Sequence, residues 1–144
     1  MITLQQYFGK WATCPDATPE RVSNAQRMLA CVENLELLAI ADGVVFPDHE
    51  RSGDGLHVYD DNVSGQYMGG FRPQTCTQGA PHSSHKEGLA VDRYDPHGEI
   101  DTWCMKNFDK LEQCGIYIEH PDSTPGWSHW TIREPASGHR AFYP

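Results

Sequence analysis

Two histidines and one aspartate in the second half of the chain have the side-chain types of a catalytic zinc site. His85 and Asp92 lie close together in sequence, and His129 lies in the later run 127–132. A catalytic zinc ion takes three nitrogen or oxygen ligands from the protein and keeps a further position open. His85 and Asp92 supply two such ligands, and His129, inside an otherwise apolar run, is the natural candidate for the third.

The residues around His85 and Asp92 predict how these two side chains meet. Gly88 can bend the chain, and residues 89–94 then alternate as a strand does. His85 therefore lies on the loop that enters the strand carrying Asp92, so that imidazole and carboxylate can point to one place. The third ligand should come from a neighbouring strand, as His129 would.

Two helices are expected to form the core behind this site. Thr18, Pro19 and Glu20 predict a helix start, with a capping hydroxyl, a proline in the first turn and an acid near the positive end of the dipole. Apolar residues then recur at three- and four-residue steps, which predicts a stripe facing the core. The stripe consists of Val22, Ala25, Leu29, Val32, Leu35 and Leu38. A second helix is expected over 101–114, with Gly115 as its stop. Its expected inner face consists of Ile100, Cys104, Phe108 and Leu111.

Two short strands are expected after the second helix. Residues 116–119 and 127–132 are separated by a turn-rich link, which favours a hairpin. With the strand over 89–94, the sequence predicts an α+β fold in which a small antiparallel sheet carries the metal site and packs with two or three helices. The 144 residues fit a single domain, 1–144.

Composition and charge disfavour several kinds of partner. The formal charge of −9 argues against nucleic acid, whose binding depends on clustered Lys and Arg. No run reaches the roughly 20 apolar residues that span a bilayer, and the first residues lack the basic start of a secretory signal. A monomer made in the cytoplasm without membrane insertion is expected. The five cysteines lack CxxC spacing and predict mostly buried free thiols. They are Cys14, Cys31, Cys76, Cys104 and Cys114.

The motifs around the expected ligands resemble a known family. Residues 70–73 are Gly-Phe-Arg-Pro, residues 83–92 fit Ser-x-His-x-x-Gly-x-Ala-x-Asp, and residues 127–129 are Trp-Ser-His. This combination resembles the zinc D-Ala-D-Ala carboxypeptidase and L-alanyl-D-glutamate endopeptidase family, whose metal site is shared with lysostaphin-type peptidases and the hedgehog signalling domain. The resemblance covers about residues 71–129, and the C-terminal run from residue 127 looks like that of small phage or prophage members.

The resemblance implies roles for four residues. His85, Asp92 and His129 would be the zinc ligands, and Arg72 would bind the scissile carbonyl or its tetrahedral intermediate. A guanidinium can neutralise the oxyanion that forms when water attacks an amide. The simpler role for Arg72 is a surface salt bridge.

The sequence departs from the family pattern at two places. Many relatives carry Glu or Asp as general base three residues before the last ligand, where this chain has Gly126. The usual Ser-Gly pair before the aromatic-Arg pair is Gly69-Gly70 here. The identity of the base therefore has to come from elsewhere in the chain.

Three acids are candidates for this base. In the expected hairpin Glu119 lies near Trp127 and shares a face with His129, because strand side chains alternate. Glu119 is the first candidate, Asp122 in the connecting turn is the second, and Glu87, beside the first histidine ligand, is the third. Each of them can instead be a solvated carboxylate.

Other polar and aromatic residues give less specific signals. His82 can contact substrate or simply be exposed on its loop, and Trp127 and Trp130 can line a cleft or pack in the core. The segment 46–66 is rich in Asp, Gly, His and Ser, which is typical of a long loop. His49, His57 and the acids of this segment can line a cleft or be solvated.

Together these observations predict a zinc peptidase, a hydrolase of bacterial peptidoglycan that acts on the stem peptide or cross-bridge as a carboxypeptidase or endopeptidase. A bacteriophage endolysin of this kind would reach the cell wall or periplasm after release, or would be carried in the virion as part of it. Two alternatives use the same ligands. One is a non-catalytic zinc-containing binding or virion structural module, which Gly126 favours, and the other is a D-Ala-D-Ala dipeptidase.

Overall fold

The protein has an α+β fold, as predicted, in which a small sheet packs with several helices. The computed structural model describes residues 1–48, 55–57, 69–77 and 79–144. Within these residues the α-helices are α1 (Leu4–Phe8), α2 (Pro19–Ala41), α3 (Glu99–Lys106) and α4 (Phe108–Cys114). The strands are β1 (Ala90–Tyr94), β2 (Tyr117–Glu119), β3 (Trp127–Thr131) and β4 (Ala141–Phe142). Short 3₁₀ turns cover Gly9–Thr13, Ser84–Glu87 and Pro121–Ser123. No helix among the described residues combines the length and the apolar character needed to cross a bilayer.

The sheet has the order β1-β3-β2-β4, which puts β3 between the strand that carries Asp92 and the expected hairpin partner. β1 and β2 both run antiparallel to β3, which confirms the hairpin. β4 runs parallel to β2, so the sheet is mixed rather than wholly antiparallel. The parallel pairing follows from the long connection over 132–140, which carries the chain past β2 to its free edge.

Helix α2 begins as predicted, because the Thr18 hydroxyl accepts a hydrogen bond from the Arg21 backbone N–H at 3.3 Å. Its fully buried apolar face is centred slightly differently from the expected stripe. The buried apolar residues are Ala25, Met28, Val32, Leu35 and Ala39. Three members of the expected stripe, Val22, Leu29 and Leu38, are half-buried and flank this face.

Two helices replace the single helix expected over 101–114. The Asn107 side chain donates to the Trp103 carbonyl at 2.7 Å, and this carbonyl is the one that the Asn107 backbone N–H would use in a continuous helix. The Asn107 backbone N–H instead bonds Cys104 at 3.1 Å. The break turns Phe108 outward, where it is 40% exposed, so its expected inner position is wrong. The other expected inner-face residues are buried, and Gly115 ends α4 with a φ of 71°.

The cysteines and the long loop were predicted only in part. All five thiols are free, as expected, but only Cys104 and Cys114 are buried, while the other three are half-buried. Of the segment 46–66 the structure describes 46–48 and 55–57, where buried Leu56 forms a β-bridge with Arg93. The rest of that predicted loop lies outside the described residues.

Candidate metal centre

Three side-chain atoms meet beside the β1–β3 pair. Nε2 of His85, Oδ1 of Asp92 and Nδ1 of His129 all lie within 4.8 Å of one another. The separations are 3.2 Å for His85–Asp92, 3.3 Å for His85–His129 and 2.7 Å for His129–Asp92. Tetrahedral ligands at the usual zinc–nitrogen distance are roughly 3.3 Å apart. The spacing of these atoms therefore fits a single ion, and the residues are the three that the sequence indicated.

Sheet pairing and one tight turn bring the three residues together. Asp92 of β1 is the direct cross-strand partner of His129 of β3, so their side chains project from the same face. His85 lies on the 3₁₀ turn Ser84–Glu87, which ends at Gly88 in the left-handed conformation, with a φ of 74°. A Cβ at Gly88 would lie 2.5 Å from the Arg21 carbonyl oxygen, so glycine is required here for both space and backbone conformation.

A backbone carbonyl fixes which nitrogen of His85 is available to a metal. Nδ1 of His85 lies 2.8 Å from the Gly70 carbonyl oxygen, which can only accept. Nδ1 therefore carries the proton and Nε2 presents its lone pair toward Asp92 and His129. Gly70 has no space for a side chain, because a Cβ would overlap the Tyr7 carbonyl oxygen.

Arg72 forms a buried ion pair, so the simpler hypothesis of a surface salt bridge is wrong. Its Nη2 donates to Oδ2 of Asp92 at 3.0 Å, and the two side chains are 5% and 1% exposed. The second carboxylate oxygen of Asp92, Oδ1, is the one that faces the two histidines. Arg72 also lines the cleft beside the ligands.

The protonation states of the ligands differ in spite of their proximity. Burial lowers the pKa of His85 to about 4, and the charge of Arg72 adds to this effect. Burial alone would raise the pKa of Asp92, but His85 and His129, in their protonated forms at low pH, outweigh it through charge and hydrogen bonding and hold the pKa well below its usual range. Burial opposes protonation of His129, yet its hydrogen bond with Asp92 and the Asp92 charge raise its pKa. Two ligands are thus deprotonated at neutral pH, and a metal would compete with a proton only at His129.

The three ligand atoms open onto a cleft of about 420 Å³. One wall comes from the strands and includes Glu119, Trp127 and Phe142. The lining also includes Arg72 and residues around His82, which is exposed. A peptide in this cleft would lie against the ligands with aromatic rings, a carboxylate and a guanidinium around it.

Glu119 is the candidate base that lies in this cleft. β2 pairs with β3 through Tyr117↔Thr131 and Ile118↔Trp130. The next position of this register puts Glu119 opposite His129, on the shared face that the sequence predicted. Burial raises the pKa of Glu119; the positive charge of His129 opposes this effect and the Asp92 charge adds to it.

The other two candidate bases do not line the cleft. Asp122 is 79% exposed and lies 3.4 Å from His120. Glu87 is 39% exposed and pairs with Arg21 at 3.4 Å. Asp122 is largely in solvent and Glu87 is paired with Arg21, so the structure does not bring either carboxylate to the three candidate ligands.

Gly126, at the position where the family that the motifs resemble often carries an acid, also lies outside the cleft. It has a φ of 91°, and its backbone carbonyl accepts the Asp95 N–H at 3.1 Å. It lines a separate hollow together with Asp101 and Thr124. The candidate base that lies in the cleft is therefore Glu119 on β2 and not a residue at position 126.

The two tryptophans divide between the faces of β3. Trp127 shares the His129 face and lines the cleft, while Trp130 points the other way and is fully buried. The ring of His57 stacks on Trp127 at a centroid distance of 4.9 Å. The period-two alternation of a strand separates the two roles that the sequence left open.

Two residues at opposite ends of the chain were not found by sequence reasoning. The buried Tyr7 of α1 donates its hydroxyl to the Ala90 carbonyl at 2.9 Å, and its own carbonyl accepts the Phe71 N–H at 2.9 Å. Phe142 of β4 lies 6.3 Å from His129 between ring centroids. No local pattern marks either residue, because both reach the site only through long-range packing.

The donor set indicates which class of ion suits the three ligands. Two imidazole nitrogens and one carboxylate oxygen are the typical ligands of catalytic zinc, whereas calcium and magnesium prefer oxygen alone.

A scan against protein-family models, a search of curated proteins and a search of solved structures each found no match to this chain. Function therefore has to be inferred from the site and from the motifs.

Proposed function

We propose that this chain is a zinc-dependent peptidase that hydrolyses peptide bonds of bacterial peptidoglycan. The observation that carries the proposal is the convergence of His85, Asp92 and His129 within 4.8 Å beside an open cleft. Two imidazoles and one carboxylate leave a tetrahedral ion with one free position. The peptidoglycan substrate is supported by the motif resemblance, which covers the ligands and the arginine that lies beside them.

The three ligands would hold the ion in a site that is already arranged for it. His85 is neutral and its free nitrogen is fixed by the Gly70 carbonyl, while Asp92 is ionised. A bound zinc ion supplies a Lewis acid for the carbonyl and lowers the pKa of its water toward about 7. Little reorganisation of side chains would then be needed for binding.

Glu119 is the group best placed to move protons. Its side chain lies in the cleft on the His129 face, and partial burial raises its pKa toward the range in which a carboxylate is an efficient general base. The Glu119 carboxylate would accept a proton from the attacking water and return it to the leaving amine.

Arg72 would stabilise the negative charge that develops on the carbonyl oxygen. Its guanidinium lies in the cleft lining and carries a fixed positive charge in a partly dehydrated setting. Donors and charges held in place before the reaction stabilise such an oxyanion without reorganisation. Nη2 of Arg72 donates to Oδ2 of Asp92, which holds the guanidinium in place at the edge of the cleft.

Digestion of purified peptidoglycan with mass analysis of the released peptides tests the proposal. Wild-type protein should create new amino termini, and these should disappear with a chelator or in His85→Ala. His97→Ala is the matched control, because His97 is exposed and lies outside the cleft. Intact peptidoglycan together with a full complement of zinc in the wild type would instead support the non-catalytic module.

The dipeptidase alternative is tested in the same preparation. Free D-Ala-D-Ala should be left uncut by a protein that digests the polymer. Hydrolysis of the free dipeptide without release of peptides from the wall would assign the same ligands to a dipeptidase.

A further inference from the structure

One short segment, from Gly69 to Arg72, forms hydrogen bonds with two of the three proposed ligands, His85 and Asp92. The Asp92 backbone N–H donates to the Gly69 carbonyl at 2.8 Å. The Gly70 carbonyl accepts from Nδ1 of His85 at 2.8 Å, and the Arg72 guanidinium donates to Oδ2 of Asp92 at 3.0 Å. Each ligand is therefore restrained by a polar contact from this segment on the side away from the other ligand atoms.

The two oxygens of Asp92 have different neighbours. Oδ1 lies 3.2 Å from Nε2 of His85 and 2.7 Å from Nδ1 of His129. Oδ2 lies 3.0 Å from Nη2 of Arg72, in a pair whose side chains are 5% and 1% exposed. A carboxylate held in this way can offer only one oxygen to an ion shared with the histidines.

We propose that Arg72 is a positioning residue of the metal site: by holding Oδ2, it makes Asp92 a one-oxygen ligand and sets the affinity for the ion. This inference rests on the proposed zinc site and is separate from the contribution of Arg72 to hydrolysis. It predicts an effect on metal binding that occurs in the absence of any substrate.

Two effects of Arg72 on metal binding have opposite signs. Its positive charge repels a dication, so repulsion alone would make zinc bind more tightly once Arg72 is removed. Orientation of Asp92 acts in the other direction, because partners of metal ligands typically change metal affinity by roughly 10–100-fold. We expect the effect of orientation to be the larger of the two, because a carboxylate released from Arg72 can rotate about its Cβ–Cγ bond so that Oδ1 no longer points at the ion.

Zinc affinity measured by competition with a chromogenic chelator tests this inference. Arg72→Gln should weaken zinc binding roughly 10–100-fold. Arg72→Lys keeps the charge but loses the planar guanidinium, so its zinc affinity should lie between those of the wild type and Arg72→Gln. Arg21→Gln is the matched control, because Arg21 pairs with Glu87 at 3.4 Å on the turn that carries His85 without touching a ligand. Its zinc affinity should equal that of the wild type.

A second readout separates a change in coordination from poor folding. The visible spectrum of the cobalt-substituted protein reports the number and arrangement of ligands, and it should differ between wild type and Arg72→Lys. Circular dichroism of the metal-free proteins identifies any variant that does not fold.

The outcomes distinguish this inference from the proposed function. Zinc affinity in folded Arg72→Gln equal to or above that of the wild type, or unchanged cobalt spectra in Arg72→Lys, overturns the positioning role and leaves the peptidase proposal standing. A wild type that binds no zinc overturns both. A wild type that binds zinc but releases no peptides contradicts the peptidase proposal alone, and weaker zinc binding by Arg72→Gln then still supports the positioning role.

Discussion

Among single residues, Glu119 differs from the other candidate bases in its surroundings rather than in its chemistry. The carboxylates of Glu119, Asp122 and Glu87 are equivalent in sequence terms, but only the first of these lines the cleft. Its half-buried position raises its pKa, whereas Asp122 is 79% exposed. A base needs both reach and a suitable pKa, and the position of Glu119 in the cleft and the direction of its pKa shift make it the candidate that we test first.

We therefore expect Glu119→Gln to lower kcat roughly 10²–10⁴-fold, because removal of a general base typically has an effect of this size. Zinc affinity should stay near that of the wild type, since the variant keeps all three ligands. Kinetics on a soluble stem peptide and the chelator competition measure the two quantities separately.

Asp122→Asn is the control for this prediction, because it makes the same chemical change at an exposed position. It should retain wild-type kcat. An equal loss of activity in both variants would contradict the assignment of Glu119 as the base. Because the base must be ionised, activity of the wild type should also rise with pH through the raised pKa of Glu119 and then level off.

At the scale of elements, Asp95 joins the sheet to the helix behind it. It directly follows β1, and its carboxylate oxygens accept the backbone N–H groups of Ile100 at 3.1 Å and Asp101 at 3.0 Å. These N–H groups lie in the first turn of α3, where they have no partner within the helix. Gly98, the residue before α3, has no side chain to cap them, so Asp95 takes over this task.

Asp95→Ala should lower the free energy of unfolding by about 2 kcal/mol, because hydrogen bonds between a charged group and a helix N-terminus contribute about this much. Urea unfolding of the metal-free protein measures the change. Asp109→Ala removes an exposed acid in the first turn of α4 and is the control. A loss of less than about 0.5 kcal/mol, the usual range of surface substitutions, would show that Asp95 is not the cap of α3.

At the scale of the whole molecule, a buried acid behind the sheet links stability to pH. Asp101 is 4% exposed, and burial raises its pKa to about 6. A hydrogen bond from Ser128 lowers the pKa, the nearby Asp95 charge raises it, and a hydrogen bond from Thr124 lowers it again. The folded protein therefore binds a proton at this site more readily than the unfolded chain does.

The sign of the effect follows from proton binding. Between about pH 4 and pH 6 the folded state holds more protons at Asp101 than the unfolded state, so the contribution of this group to stability falls as pH rises. The whole effect is at most about 3 kcal/mol, since one pKa unit corresponds to about 1.4 kcal/mol. The stability is present at low pH and is lost once the carboxyl ionises in the folded protein.

Asp101→Asn should remove this pH dependence, because the amide cannot ionise. Relative to the wild type, the variant should gain stability as pH rises from 4 to 7, by up to about 3 kcal/mol. Urea unfolding of the metal-free proteins across this range measures the difference, in which the titration of groups that do not interact with Asp101 cancels. Asp109→Asn should show no such trend, and a constant difference between Asp101→Asn and wild type would refute the buried-acid explanation.

The sequence by itself determined the parts of this protein that depend on neighbouring residues. The cap of α2 at Thr18, the strand alternation around Asp92 and the turn at Gly88 are local, and each is read from a few adjacent side chains. His85, Asp92 and His129 could be named because the strand pattern and the motif spacing identify them together. The periodicity of apolar residues predicted one continuous helix through Asn107, and this prediction was wrong because the Asn107 side chain bonds the backbone and interrupts the helix.

Only the tertiary structure decided which groups meet across long sequence distances. Sequence allowed three candidate bases, and the register of β2 on β3 places one of them, Glu119, opposite His129 and in the cleft. It also allowed a surface position for Arg72, which the fold instead buries against Asp92. The contact between Tyr7 and Gly70 leaves no local signal at all. These pairings depend on how helices and strands pack, and packing is a property of the whole chain that no short pattern contains.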